Sequence, residues 1–427
     1  TRNDVVLLWR PHPLSKTTLK AMRPELYELY CDLEQSYRTE EIGIFDDSDD
    51  MYPAIYVSDA YYGDSSSVIT IFGATGRPIC LQNVEVKDNI SKGQGFEGGC
   101  MDGNVLYFAN MEYNALASFD LVDGQLKHLG EFPEIDRKQK RITQNIGLWN
   151  EKLWMMPFNG EKVYSYDLKT EIWETYPLPE EWPKDCKRNI IFAGTQIGKY
   201  YYGFGAGRYG VMRLDMESGE IDYSRNGIEQ YKQMITPGKS NLVCRQDCCV
   251  VEGKIYVACL AGNLVLEYDT ITTKISLHSV GDRNNSYITI CYDGNFFWLT
   301  EISGKVMKWN PKTKETKEIT STIKDASESG KWAYASSLYA DGYVWLFAYC
   351  AKENIRINVQ TGVVEKVYLW AGERACLQVK VVKSWYADGT VYFVDATKCT
   401  LVQMDSITLE TKEIKISSIQ VFATSLV

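Results

Sequence analysis

The chain runs to 427 residues and carries a formal net charge of −10, with a pI near 5.1. That length builds a large core and is long for a single domain, so two parts are expected. The acidic balance argues against bulk nucleic-acid binding while leaving local basic patches open, and 29 Tyr with 11 Trp suit a strand-rich protein.

The 12 cysteines stand singly apart from Cys244, Cys248 and Cys249, and several, such as Cys259 and Cys350, fall inside apolar strands. They read as free core thiols of a reducing cytosol. With no pair of Cys-x-x-Cys units and only 3 histidines, no zinc site is expected. Val5 to Leu8 is a four-residue apolar run ended by Trp-Arg-Pro-His-Pro, which is no signal peptide. No apolar segment approaches the length of a membrane span. The chain opens on Thr1 without an initiator Met; it reads as a soluble protein, with a piece of a longer one as the open option.

Taken in order, residues 1–82 alternate strands and helices. Residues 5–9 (VVLLW) read as a strand buried on both faces. Two helices follow, with Ser15 as a cap and Pro24 at the first position of the second, where Leu26, Leu29, Tyr30, Leu33 and Tyr37 form one apolar face. Residues 42–45 (IGIF) and 54–59 (AIYVSD) read as short parallel strands that deliver Asp46, Asp47 and Asp59 to one edge. Asp64, Ser65, Ser66 and Ser67 then open a helix that Gly76 would stop, and residues 78–81 (PICL) form a last strand. Hydroxyls at the positive end of a helix suit a phosphate or diphosphate. An ordinary Asp/Ser cap is the plainer alternative, and a lone histidine such as His12 after a strand is more often a packing residue.

Taken together, residues 9–14 (WRPHPL) and 58–79 (SDAYYGDSSSVITIFGATGRPI) resemble the C-terminal nucleotide-binding lobe of CDP-glycerol glycerophosphotransferase-like proteins, GT-B enzymes of the teichoic-acid type. His12-Pro13, Asp64-Ser65-Ser66-Ser67 and Arg77-Pro78 stand at that family's motif positions; Ser65 replaces the aromatic residue that commonly follows the Asp. The resemblance implies transfer of glycerol phosphate from CDP-glycerol, used as substrate with no cofactor. His12 would be the catalytic contact to the phosphoryl region, and Asp64, Ser65, Ser66 and Ser67 would hold the diphosphate, with Asp46, Asp47 and Asp59 as weaker candidates for ribose contacts. It covers about a fifth of the chain and half of the cleft such an enzyme needs, so this chain alone is expected to be inactive. The expected location is the cytoplasm, with peripheral association at the inner membrane face as an option.

Residues 83–95 read as a linker, and a repeat fills 96–427. Its anchors are Gly103, Asn150, Gly198, Gly253, Gly294, Gly342 and Gly389, separated by 47, 48, 55, 41, 48 and 47 residues. Each leads through an aromatic strand to Asp120, Asp167, Asp215, Asp269, Asn310, Asn358 or Asp405, which lie 16 or 17 residues beyond the anchor. A period near 47 with four short strands per repeat predicts a seven-bladed β-propeller, kelch-like by period only, with six blades as the fallback. The anchors are read as tight-turn residues at positive φ and the Asp/Asn as turn initiators. Residues 419–427 (IQVFATSLV) read as an extra strand clasping the ring. The fold class is therefore mainly β: a propeller behind a partial α/β, Rossmann-like segment.

Function in a propeller belongs to its non-repeating loops. Here these are basic: Arg137, Lys138, Lys140, Arg141, Lys184, Lys187, Arg188, Lys239, Arg245, Arg283, Lys331 and Arg374. Gathered on one face, they would dock an anionic polymer or an acidic protein; solvated loop charge is the plainer alternative, with Asp136, Asp185, Asp247 and Asp282 among them. His128 and His278 sit in outer-strand positions and no familiar catalytic motif occurs. Three readings stand: a polymer-transferase fragment with an acceptor- or partner-binding propeller, a non-catalytic scaffold, and a propeller lyase or hydrolase acting on anionic polysaccharide.

Overall fold

The computed structural model describes residues 5–22, 24–40, 43–63, 68–81, 99–110, 114–135, 139, 141–182, 191–205, 210–234, 247–260, 262–319, 332–351, 353–369, 381–395 and 400–415. The chain divides into two compact units, Thr1–Ile90 and Ser91–Val427.

In the second unit seven four-stranded antiparallel sheets follow one another, spanning 99–130, 143–177, 191–224, 249–279, 287–319, 334–369 and 381–415. We number them blades 1 to 7. Within each, the strands pair in chain order. First strands of blades 1, 2 and 3 touch in succession, as do those of blades 4 to 7, so the first strand is innermost. This is a seven-bladed β-propeller.

The repeat explains the sheet geometry. All seven anchors have positive φ, from 48° at Asn150 to 99° at Gly294. A side chain added at Gly103, Gly294, Gly342 or Gly389 would meet nothing within 4 Å, so glycine is chosen there for its backbone freedom and not for space. The strand-ending Asp or Asn accepts, on its Oδ1, the N–H two residues later: Asp120 from Val122 at 2.7 Å, Asp269 from Ile271 at 3.0 Å, Asn358 from Gln360 at 3.0 Å, Asp405 from Ile407 at 3.0 Å. Such Asx turns satisfy backbone donors that the bend leaves unpaired.

Second strands such as Leu153–Met156 and Val344–Ala348 are buried throughout, because each sheet is covered on both faces by its neighbours. Separate apolar clusters fill the spaces between adjacent blades. The ring closes in the same way: Leu106, Phe108 and Phe119 of blade 1 pack with Val394 and Leu401 of blade 7. Both of those blades are built from consecutive strands, so side-chain packing joins them. The proposed clasp strand 419–427 lies outside the described residues, as does the linker 83–95.

The first unit holds two separate parallel strand pairs. β1 (Leu8–Trp9) and β2 (Ile44–Phe45) flank α1 (Ser15–Met22) and α2 (Pro24–Thr39). After α3 (Tyr52–Val57), β3 (Tyr61–Gly63) and β4 (Ile79–Leu81) flank α4 (Val68–Gly73). The helix start at Pro24 matches the reading, α1 begins at Ser15 itself and not after it as a cap would require, and Gly76, at φ +68°, closes the turn after α4.

Three expectations are corrected. Residues 54–59 belong to a helix and not a strand: Asp50 Oδ1 accepts the Tyr52 N–H at 2.9 Å, Pro53 sits in the first turn, and Ser58 N–H returns to Ala54 C=O. The strand is displaced to Tyr61–Gly63. Residues 5–9 are not buried on both faces, since Val5, Val6 and Leu7 are exposed and only Leu8–Trp9 is strand. The apolar face of α2 is half used: Tyr30 and Tyr37 pack edge-on against Trp9, while Leu26, Leu29 and Leu33 are exposed.

Candidate functional site

Polar side chains converge at the carboxyl ends of β1 and β2. His12 lies there, exposed, with Nδ1 accepting the Leu14 N–H at 3.1 Å and its carbonyl accepting the Ser15 N–H. Asp46 and Asp47, read as ribose contacts, are engaged within the unit. Asp46 accepts from Ser48 and pairs with Arg10, which together hold its carboxyl below the usual range. Asp47 pairs with Arg38 at 2.6 Å, and that guanidinium also covers the Phe45 ring at 3.8 Å. Asp59 is exposed. Arg77 donates to the carbonyls of Ile55, Tyr56 and Ser58 and so closes the C-terminal end of α3. Asp64, Ser65, Ser66 and Ser67 lie outside the described residues.

In the propeller, antiparallel order puts two sets of connections on opposite faces. Connections between blades emerge on the same side as those joining second to third strands; we call this the loop face. First-to-second and third-to-fourth turns occupy the other, the turn face. Of the basic loop residues, Arg137, Lys138, Lys140, Lys184, Lys187, Arg188, Lys239, Arg245, Lys331 and Arg374 lie outside the described residues. Arg141 is half-buried, 5.9 Å over the Phe158 ring. Arg283 is exposed beside Asp282, whose carboxylate accepts the Asn284 N–H.

The loop-face end of the inner strands carries a hydrogen-bonded belt. Asp247 accepts from Ser336 Oγ at 3.1 Å and from Ser337 N–H at 2.8 Å, tying the entrance of blade 4 to blade 6. Ser336 and the blade 7 residue Ser384 share a hydroxyl contact at 2.8 Å. Asn145 donates to the Ile191 carbonyl at 2.9 Å and accepts from the buried Tyr201 hydroxyl. Burial pushes the Cys249 and Cys291 thiols well up, so neither is a ready nucleophile.

A second polar cluster lies in blade 4 at its boundary with blade 5. Buried Glu267 accepts from Lys254 Nζ at 2.5 Å and is 2.7 Å from His278 Nε2; these two bonds, His278 foremost, hold its carboxyl down at about 2. The His278 ring lies 5.2 Å from Trp309. His128, in the outer strand of blade 1, has its proton affinity lowered by burial. A groove of about 460 Å³ runs along the outer parts of blades 3 and 4, lined by Arg213, Asp222, Tyr223, Arg225, Asn226 and Tyr268. Arg213 pairs there with Asp222 and lies 5.4 Å over Tyr200. No group of three His, Cys, Asp or Glu able to hold a metal ion occurs among the described residues.

Sequence reasoning missed Asp247 with its serine partners and Glu267 with Lys254 and His278. A signal for the second existed: two residues before the strand-ending Asp or Asn, other blades carry Ser118, Ser165, Arg213, Lys308, Arg356 or Gln403, and blade 4 alone carries an acid.

No known protein-family model matches the chain, and no curated protein matches it. Solved structures do match. The computationally designed Ika8 protein superposes with a TM-score of 0.50 at 11% identity, covering 76% of this chain and 88% of that one. BamB from Moraxella catarrhalis gives 0.47 at 13%, covering 71% and 82%. PorZ, an essential bacterial surface component of the type-IX secretion system of Porphyromonas gingivalis, gives 0.50 at 12%, covering 76% of this chain and 38% of its own. What the Ika8 protein and PorZ share with this chain is the fold. No helix among the described residues is long and apolar enough to cross a membrane.

Proposed function

We propose that the propeller is a binding module and that the chain acts by holding a protein partner. The observation that carries this reading is the commitment of these interior polar and thiol groups of the propeller to the fold: Glu267 is bonded to Lys254 and His278, Asp247 to Ser336 and Ser337, and the Cys249 and Cys291 thiols are suppressed by burial. Such an arrangement builds a rigid scaffold, on which recognition falls to surface residues. Cross-linking in the source cells, with loop and turn lysines as reporters, should return one recurrent protein partner. Recovery of the chain alone, without cross-links, would overturn the reading.

A second reading keeps the first unit as part of a CDP-glycerol-binding lobe of a polymer transferase at the inner membrane face, with the propeller's basic loops holding acceptor polymer. The exposed position of His12 just past the carboxyl end of β1 favours it. Calorimetric titration with CDP-glycerol should show binding that His12→Ala and Ser65→Ala weaken, without turnover by this chain. Equal binding in both variants would remove the assignment. Docking of an anionic polymer on Arg283 and its neighbours should weaken as salt is added. No observation favours the lyase or hydrolase.

A further inference from the structure

Seven large hydrophobic side chains are exposed among the described residues of the propeller, and five of them stand in third-to-fourth turns on the turn face; most connections of the loop face lie outside the described residues. Val122, Ile271 and Ile407 stand two residues after a strand-ending Asp, at 75, 87 and 75% exposure; Ile172 and Val363 stand five after Asp167 and Asn358. The remaining two, Val250 and Tyr386, are each one residue from the inner-strand end that leads into the same face.

Aliphatic residues at these tips do nothing for the turn. The Asx bond uses only the backbone N–H of Val122, Ile271 or Ile407, and turns otherwise favour Gly, Asn, Asp and Ser. Blades 3 and 5 fill the second position after their Asp215 and Asn310 with Glu217 and Lys312, as solubility alone would dictate. Singly scattered exposed hydrophobics need no explanation, but aliphatic tips that recur at the third-to-fourth turns of five blades form a patterned exposure of the kind that marks an interaction surface.

Four of the tips are consecutive around the ring: Val363, Ile407, Val122 and Ile172 on blades 6, 7, 1 and 2. The turns of these four blades also carry Asp341, Asp388, Glu410, Asp123, Glu151 and Glu171, against Lys169 within them and Lys127 and Lys412 on the adjoining strands, Lys127 pairing with Glu171 at 3.6 Å. An acidic field around protruding aliphatic knobs is repelled by an anionic lipid surface. It complements a basic surface with apolar sockets. We propose that this arc docks a protein partner through a basic amphipathic segment, its apolar stripe seated on the four tips and its Lys or Arg side chains facing the surrounding carboxylates. The proposal rests on the reading of the propeller as a binding module and names the face and the partner chemistry.

The test uses the full chain and a labelled synthetic amphipathic helix of Leu and Lys, followed by fluorescence anisotropy. Saturable binding is expected, and Val122→Ser combined with Ile407→Ser should weaken it about tenfold or more, as loss of central apolar anchors does. Ile271→Ser, an isolated tip outside the arc, serves as the control for general hydrophobicity and should change it little. Because the substituted side chains are solvent-exposed, unchanged thermal melting will confirm that the fold persists. Absence of binding, equal affinity of the double variant, or an equal loss in the control would overturn the proposal. So would binding of the chain to phosphatidylserine vesicles that the double variant abolishes. A helix that binds elsewhere leaves the binding-module reading intact and removes only the arc; the module itself stands or falls on the cross-linking.

Discussion

Replacing Glu267 by glutamine removes a charge from the boundary of blades 4 and 5 while nearly preserving shape. The native carboxylate accepts from Lys254 at 2.5 Å and is bonded to His278 at 2.7 Å. Its ordinary value of 4.5 falls to about 2 in the fold, a difference worth roughly 3 kcal/mol at about 1.4 kcal/mol per pH unit. Because the folded value is the lower one, this stability is fully present above pH 4.5 and is lost as pH falls toward about 2. Glu267→Gln should therefore lie about 3 kcal/mol below the native protein at neutral pH. The gap should narrow as acid protonates the native carboxyl. Denaturant unfolding of both proteins across that range measures it. A gap under about 0.5 kcal/mol at neutral pH, the size of an ordinary surface substitution, or one that does not change with pH, would refute the reasoning.

Three further substitutions probe other parts of the fold. Asp167→Ala deprives the Lys169 and Thr170 N–H groups of their acceptor and should cost about 1 kcal/mol in denaturant unfolding. Arg77→Ala removes a donor shared by three carbonyls at the end of α3; hydrogen exchange of the α3 amides should accelerate while the propeller amides are unaffected, and uniform exchange in both units would count against a local role. Phe119→Ala empties part of the cluster between blades 1 and 7 and should cost about 3 to 5 kcal/mol, with exchange rising first in those two blades.

Much of the propeller was legible because its repeat is set by local backbone chemistry. Positive φ at Gly103 or Gly342 and the Asx bonds of Asp120 or Asp405 depend on a few neighbouring residues, so the sequence displays them directly. The first unit was harder to read, because short apolar runs fit a strand or a helix equally well. The Asp50 bond to Tyr52 N–H and Pro53 decide for helix in residues 52–57, and that decision lies upstream of the apolar run itself. Nor does periodicity tell which part of an apolar face is covered: Tyr37 packs on Trp9 while Leu29, on the same stripe of α2, is exposed. The candidate sites show the same limit. Glu267 finds Lys254 and His278 through strand register, and Asp247 reaches Ser336 only after the ring has brought blade 6 near the entrance of blade 4.

The repeat also separates what the fold demands from what it leaves free. At the strand-ending Asp or Asn the side chain is fixed by its bond to the turn, and at the anchor the backbone angle selects Gly or Asn. Two residues past the Asp or Asn, only an N–H is used, so the fold places no demand on the side chain. Val122, Gln360, Glu217, Ile271, Lys312 and Ile407 all make the same turn there. A position with no structural requirement settles to polar residues unless something else holds it apolar. In blades 1 and 7 it is apolar and exposed, and the proposed partner on the arc would supply the missing reason.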